Sequence, residues 1–302
     1  TFVASSNCAL YCGATVDFVD IDPQTYNMSI AALRTKLAAA KRIQKLPKIV
    51  IPVHLCGQPC DMAEIHALSQ EYGFKVIEDA SHAIGGKYKN TDIGSCHYSD
   101  ITVFSFHPVK IITTAEGGMA VTNDAKLAQQ MDLFRSHGVT RNPELMAKAP
   151  EGPWYYQQVA LGYNYRMTEL QAALGVSQLH RLQEFVSKRH HDELLQELPI
   201  VLPYQLPETY SGLHLYVIQL KLDAISKTRQ EVFEALRAKN IGVNVHYIPV
   251  HTQPVYQDMG FKAGDFPKAE AYYEAAISLP MYPDLSDAQM GYIYQTLKEV
   301  LI

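Results

Sequence analysis

Three short segments carry residues whose types and spacing could do chemistry. Glu78-Asp79-Ala80-Ser81-His82 follows an apolar run that reads as a strand. Ser105-Phe106-His107-Pro108-Val109-Lys110 follows the next such run. Thr113-Thr114-Ala115-Glu116-Gly117-Gly118 comes directly after it. In a parallel sheet, ligands gather at the carboxyl ends of the strands, so Asp79 and Lys110 both face one crevice. A lysine there can form a Schiff base, and burial can lower its pKa enough to make it a base. The Gly-Gly pair permits positive φ and close backbone approach. Taken singly, each segment has an ordinary reading: a carboxylate capping a turn, a solvated lysine, a simple turn.

Together they are more specific. A strand-end Asp followed by a strand-end Ser…Lys suits pyridoxal 5′-phosphate (PLP). The carboxylate keeps the pyridine nitrogen protonated, the lysine makes the Schiff base, and the serine hydroxyl takes a phosphate oxygen. Each charge of an Asp–pyridinium pair offsets the other's desolvation.

The elements that must position these groups are strands alternating with helices. Val16–Ile21, Lys48–His54, Phe74–Asp79, Ile101–Phe106 and Met119–Thr122 read as strands. Ser29 caps a helix through Ala40. Asp61 and Glu64 open a helix that Gly73 stops after Tyr72, and Asp124 caps another that ends near Gly138. This alternation predicts a largely parallel sheet in an α/β fold. Residues 139–165 are rich in Pro, Gly and Tyr and read as a long functional loop or crossover. Thr168 and Gln171 open a long helix with Leu170, Leu174, Leu179, Leu182 and Phe185 at helical spacing. Pro199, Pro203 and Pro207 mark a lobe boundary. Beyond it His214–Leu222 and Gly242–Val250 read as strands, Lys227–Lys239 as a helix, and two helices close the chain. The expected division is 1–198 for a large domain and 199–302 for a small α/β domain.

Composition bounds the rest. The 302 residues are 47% hydrophobic and 19% charged, with a net charge of −5. This balance is globular, and it gives no basic excess for nucleic acid and no basic amphipathic segment for a membrane surface. No apolar run reaches the roughly 20 residues of a transmembrane helix. Five cysteines, an odd count, fit a reduced cytoplasmic setting. Cys8-x₃-Cys12 and Cys56-x₃-Cys60 lack a second ligand pair at zinc-site distance and read as packing residues. His190-His191-Asp192-Glu193 is not H-E-x-x-H, so no metal is expected. No G-x-G-x-x-G is present. Tyr155, Tyr156, Tyr163 and Tyr165 suit either packing at an interface or stacking on a nucleotide base.

The runs E-D-A-S-H-A-I-G-G, S-F-H-P-V-K-I-I-T-T-A-E-G-G-M and G-Y-N-Y-R-M-T-E-L-Q-A-A-L-G resemble the DegT/DnrJ/EryC1/StrS family of PLP-dependent sugar-nucleotide aminotransferases. I-P-V-H-L-C-G-Q-P-C-D-M and H-Y-I-P-V-H are similar too, so the resemblance spans the chain. It implies the fold type I of PLP-dependent transferases. It implies Lys110 as the Schiff-base lysine, Asp79 as partner of the pyridine nitrogen, and His82 near the cofactor's 3′-oxygen. Ser81 stands where many members have Ala against a ring face. Ser105 matches the phosphate-binding serine. Asn164 matches a residue that reaches the cofactor phosphate of a neighbouring subunit, which implies a homodimer with shared sites. His107 and His251 match residues on the sugar-nucleotide side. Ile111 stands where Pro is expected.

The implied reaction moves an amino group from L-glutamate to C4 of a nucleotide-linked 4-keto-6-deoxy sugar. UDP is the expected carrier, and pseudaminic acid or a related surface glycan the expected destination. Pyridoxamine phosphate is the carrier of the amino group between half-reactions. A dehydratase branch of the family uses the same fold with His in place of the lysine, and Lys110 speaks against it. A non-catalytic or truncated homologue is the reading from another class. Relatives carry a segment before T-F-V-A-S-S-N-C with a phosphate-binding turn and an aromatic that stacks on the ring. Both are expected to be missing here, so this chain is expected to bind PLP weakly.

Overall fold

The computed structural model describes residues 1–190 and 195–302. A four-stranded sheet lies at its centre, in the spatial order Ile49–Val50, Lys75–Asp79, Ile101–Ser105, Gly118–Val121. The first three strands run parallel and the last antiparallel. The fold is α/β with a parallel-containing sheet, as the alternation predicts.

The helix starts follow their capping residues. Ser29 accepts from Ala32 N ahead of Ile30–Arg42, and Asp61 accepts from Glu64 N ahead of Met62–Tyr72. Gly73 ends that helix in the left-handed region, at φ +79°. Leu33 and Leu37 of the first helix and Ile65 and Leu68 of the second share one apolar cluster with Val50 and Val76 of the sheet. A second cluster joins Phe104, Phe106, Ile111 and Ile112 to Phe185 and Val186. A third lies among residues 198–301, where Tyr216–Leu220 pairs antiparallel with Ala276–Leu279 and with Ile200–Val201.

Several expected elements differ. Val16–Ile21 forms no strand. Its Asp17 and Asp20 carboxylates take the N–H groups of Phe18 and Ile21, which removes those donors from any ladder. The segment is instead a strap along the C-terminal part: Phe18 packs edge-on against Tyr256, Phe261 and Phe266. Asp20 accepts from the N–H groups of Lys268 and Ala269, each at 3.0 Å. It thereby caps helix Pro267–Ala275, whose own N-cap position, Phe266, has no side chain to offer. Lys48–His54 shrinks to Ile49–Val50 plus a bridge at Val53, because Pro52 has no N–H to give. Gly242–Val250 keeps one bridge, Asn244 to Ser278. The missing strand is Ala276–Leu279, buried along its length. The long helix from Thr168 divides into Glu169–Leu179 and Leu182–Ser187. Leu182 and Phe185 enter the core, whereas no residue of Glu169–Leu179 is buried. Residues 139–165 contain a small antiparallel pair, Val139–Thr140 with Gln157–Gln158. His191, Asp192 and Glu193 lie outside the described residues; His190 stacks on Tyr210 and bonds the Ser211 carbonyl.

Candidate active site

The site is built on two adjacent parallel strand ends. Asp79, the last residue of Lys75–Asp79, pairs with Val103. Its N–H donates to Pro52 O at 2.9 Å and its carbonyl accepts from His54 N at 3.1 Å. Its carboxylate accepts from Ser5 Oγ at 2.6 Å and from Ser81 N at 3.1 Å. Glu78 points to the opposite side of the strand, as pleating requires. There it accepts from His54 Nε2 at 2.9 Å, from Ser99 Oγ and from Thr102 Oγ1. Burial pushes the Glu78 carboxyl up, but these donors outweigh it and leave the group below its ordinary range. Cys60 N–H donates to His54 Nδ1, so the ring proton sits on Nε2 and faces Glu78.

Lys110 lies in a loop closed at its neck. Phe106 N donates to Gly117 O at 2.8 Å, and Thr114 N donates to Phe106 O at 3.0 Å. Ile111 and Ile112 are buried and anchor the loop, so the residue standing where Pro is expected serves as core. A Cβ on Gly117 would come within 2.3 Å of Thr114 Oγ1, which explains the glycine there. The half-buried Lys110 amine has its pKa lowered by burial, and the charge of Asp79 opposes that shift.

Three imidazoles wall the lysine. His82 accepts from Cys56 N through Nδ1, which places its proton on Nε2, 3.3 Å from the Tyr247 hydroxyl. His214 lies beside it, and its buried Nδ1 has no partner among the described residues. His246 Nδ1 meets Ser278 Oγ at 2.7 Å. Burial lowers the pKa of all three, and the positive charge of Lys110 adds to the effect. Burial pushes the neighbouring Cys56 thiol up to about 12, so it is inert. Phe2 stands 5.9 Å from Tyr247, ring to ring.

Asp79, Ser81, His82 and Lys110 are thus brought together, and Ser105 ends the strand beside them, its Oγ accepting from His107 N. His107 is exposed, with its ring 3.8 Å from Glu116. His251 is buried against Phe266 and bonded to Glu270 at 2.8 Å, so its ring is engaged in the C-terminal part; His246 and Tyr247 are the residues of that segment that meet His82. Asn164 is exposed, held by a bridge to Ser136, and makes no contact with Lys110 or Asp79 among the described residues. Sequence reasoning does not single out Ser5, Phe2, His214, His246 or Tyr247. The run H-Y-I-P-V-H contains two of them.

Around Asn164 the surface is apolar. Leu161 and Leu170 are 87% and 85% exposed, and Tyr163 and Tyr165 stack on each other in the open. Helices Ala125–Arg135 and Glu169–Leu179 bury no residue, and three of the four residues in the edge strand Gly118–Val121 are exposed. Among the described residues no three His, Cys, Asp or Glu side chains converge as a metal site would require. No helix there is long and apolar enough to cross a membrane.

A half-buried lysine near a strand-end carboxylate, on this sheet, is an arrangement that suits an aminotransferase. The chain belongs to the DegT/DnrJ/EryC1/StrS aminotransferase family, which matches residues 1–298. It is 38% identical to the spore coat polysaccharide biosynthesis protein SpsC of Bacillus subtilis, over all of this chain and 77% of that one. Its fold resembles Helicobacter pylori PseC, an aminotransferase involved in the biosynthesis of pseudoaminic acid: TM-score 0.89, 30% identity, 100% of this chain and 77% of that one. It also resembles the PLP form of the putative sugar aminotransferase Spr1654 from Streptococcus pneumoniae: TM-score 0.85, 29% identity, 99% and 78% covered.

Proposed function

We propose that this protein is a PLP-dependent transaminase that moves an amino group from L-glutamate to C4 of a nucleotide-linked 4-keto-6-deoxy sugar. UDP is the favoured carrier, and a surface glycan such as pseudaminic acid the favoured destination. The observation that carries the reading is the coupling of Lys110 to Asp79 at the strand ends. The likeness to PseC and SpsC supports the substrate class. The chain's residues fit the cofactor. The Lys110 amine has the negative charge of Asp79 near it, and the buried His214 Nδ1, also within reach of the Lys110 charge, has no hydrogen-bond partner among the described residues.

When bound, PLP supplies a carbonyl that condenses with amines and a protonated ring that withdraws electrons. Lys110 would hold it covalently, Asp79 would face the ring nitrogen, Ser105 would take the phosphate, and Ser81 and His82 would line the ring. The Lys110 amine, when free, would take the proton from the α-carbon of glutamate, and as ammonium it would deliver a proton to C4 of the sugar. Its pKa is lowered by burial, which favours the neutral amine that can take a proton.

A homodimer completes the proposal. The exposed apolar side chains near Asn164, among them Leu161, Tyr163, Tyr165 and Leu170, support such an interface. Asn164 would then serve the second subunit's site. The division at 198/199 stands as a proposal, supported by the separate apolar cluster among residues 198–301. Five free thiols favour a cytoplasmic setting.

The test is a coupled assay with L-glutamate against UDP- and dTDP-linked 4-keto-6-deoxy sugars, read by mass spectrometry. Amination at C4 of one of them is expected, with a visible absorption band after adding PLP. A colourless protein that aminates none of them overturns the reading.

A further inference from the structure

We propose that Ser5 is the positioning residue of Asp79, and that Tyr256 locks the helix that carries it. This deepens the reading of the site as a PLP site and rests on it. Asp79 has two engaged oxygens. One accepts from the Ser81 backbone at 3.1 Å, and the other from Ser5 Oγ at 2.6 Å. The second is the length of a charge-assisted O–H···O⁻ bond. A carboxylate offers about four lone-pair positions, so both oxygens keep capacity for a group placed opposite. The backbone of Asp79 is pinned by Pro52 and His54. Rotation of the carboxylate about its side-chain bonds is the freedom that remains, and Ser5 removes it.

Ser5 can do this only if its own helix is fixed. Ala4–Tyr11 has eight residues, no side-chain cap and no acidic residue in its first turn. Such a helix is marginal alone. Its anchor comes from far along the chain. The Tyr256 hydroxyl lies 2.5 Å from Ser6 Oγ and donates to Asn7 Oδ1 at 2.6 Å. Tyr256 is almost wholly buried. Successive helical residues point about 100° apart, so Ser5 and the Ser6–Asn7 pair face different neighbours. The helix is a strut from the C-terminal part to the strand end.

The experiment compares full-length wild type, Ser5→Ala, Ser5→Thr and Tyr256→Phe with PLP as the probe. Affinity comes from titration of the visible band, and the pH midpoint of that band is measured alongside kcat and KM. Ser5→Ala is expected to weaken PLP binding about tenfold, the worth of a hydrogen bond to a charged group. It should move the pH midpoint and lower kcat while leaving KM for glutamate unchanged. Ser5→Thr, which keeps the hydroxyl, should restore all three. Tyr256→Phe should change them in the same direction as Ser5→Ala, and it reports on the strut even where Ser5→Ala fails to fold. A wild type that shows the band while Ser5→Ala matches it in affinity and midpoint overturns this proposal alone. A wild type without the band overturns the PLP reading and this proposal with it.

Discussion

The rings of His82 and His214 lie 4.5 Å apart with their planes at 47°. Burial holds both well below the ordinary histidine pKa of 6.5. The unfolded chain takes up protons through 6.5 while the folded one does not. Their contribution to stability is therefore complete above 6.5 and is lost as the pH falls below it. Each histidine can remove up to about 1.4 kcal/mol per pH unit. Urea denaturation from pH 7.5 to 5 should show this fall, and His214→Phe should flatten it. A midpoint constant over that range would rule out two neutral buried imidazoles.

Lys110 is a stability cost kept for chemistry. Burial lowers its pKa, so at pH values below the folded pKa the fold carries the full penalty of a desolvated ammonium. Lys110→Met should raise the thermal midpoint of the cofactor-free protein, by about 2–4 °C for each kcal/mol relieved. The same variant should lose the visible band and at least 10²–10⁴-fold in turnover, roughly the worth of positioned proton transfer. A variant with wild-type turnover would remove Lys110 from its assigned role.

Gly138 fixes where the loop bearing Asn164 begins. Its φ is +69°, and an added Cβ would lie 1.9 Å from the Ala160 carbonyl oxygen. Gly138→Ala must push residues 159–164 outward. The backbone strain alone is on the order of 1–3 kcal/mol. Hydrogen exchange at Val159 and Tyr163, whose N–H groups bond Gly138 and Phe134, should speed up. Unchanged protection at both amides would contradict this account.

Leu170 is the test of the open apolar face. Leu170→Glu removes nothing from the core, since the side chain is exposed in the single chain. A charge there should dissociate the proposed homodimer, which sedimentation velocity reads directly. Far-UV circular dichroism should stay as in wild type. A variant that sediments as wild type would place the interface elsewhere.

The chemical centre is legible in sequence because strand ends and their polar residues are local. Glu78-Asp79 and Ser105…Lys110 each sit within a few residues of the strand that aims them. The wall around Lys110 is not local. His214, His246 and Phe2 reach it from three distant segments, and nothing near them in sequence announces the meeting. The strap Val16–Ile21 reads as a strand because its alternation is real, but aspartates in the run compete for the backbone. Periodicity places Leu170 and Leu174 in a helix correctly. It cannot tell a face buried in the chain's own core from one left for a second copy.

Asp20 caps a helix that begins at Pro267, and the two partners are 248 residues apart in the chain. A ribosome adds roughly 5–20 residues per second, so Asp20 emerges about 12–50 s before the helix it serves. Through that interval the strap has only its early neighbours, such as Lys36 on Asp17 and Ser29 N–H on Asp20 O, and helix Pro267–Ala275 is completed by residues translated long before it. The segment made early is therefore among the last to settle. During synthesis its C-terminal-facing side, Phe18 and the Asp20 carboxylate, stays open to chaperones and proteases until residues 256–269 are made.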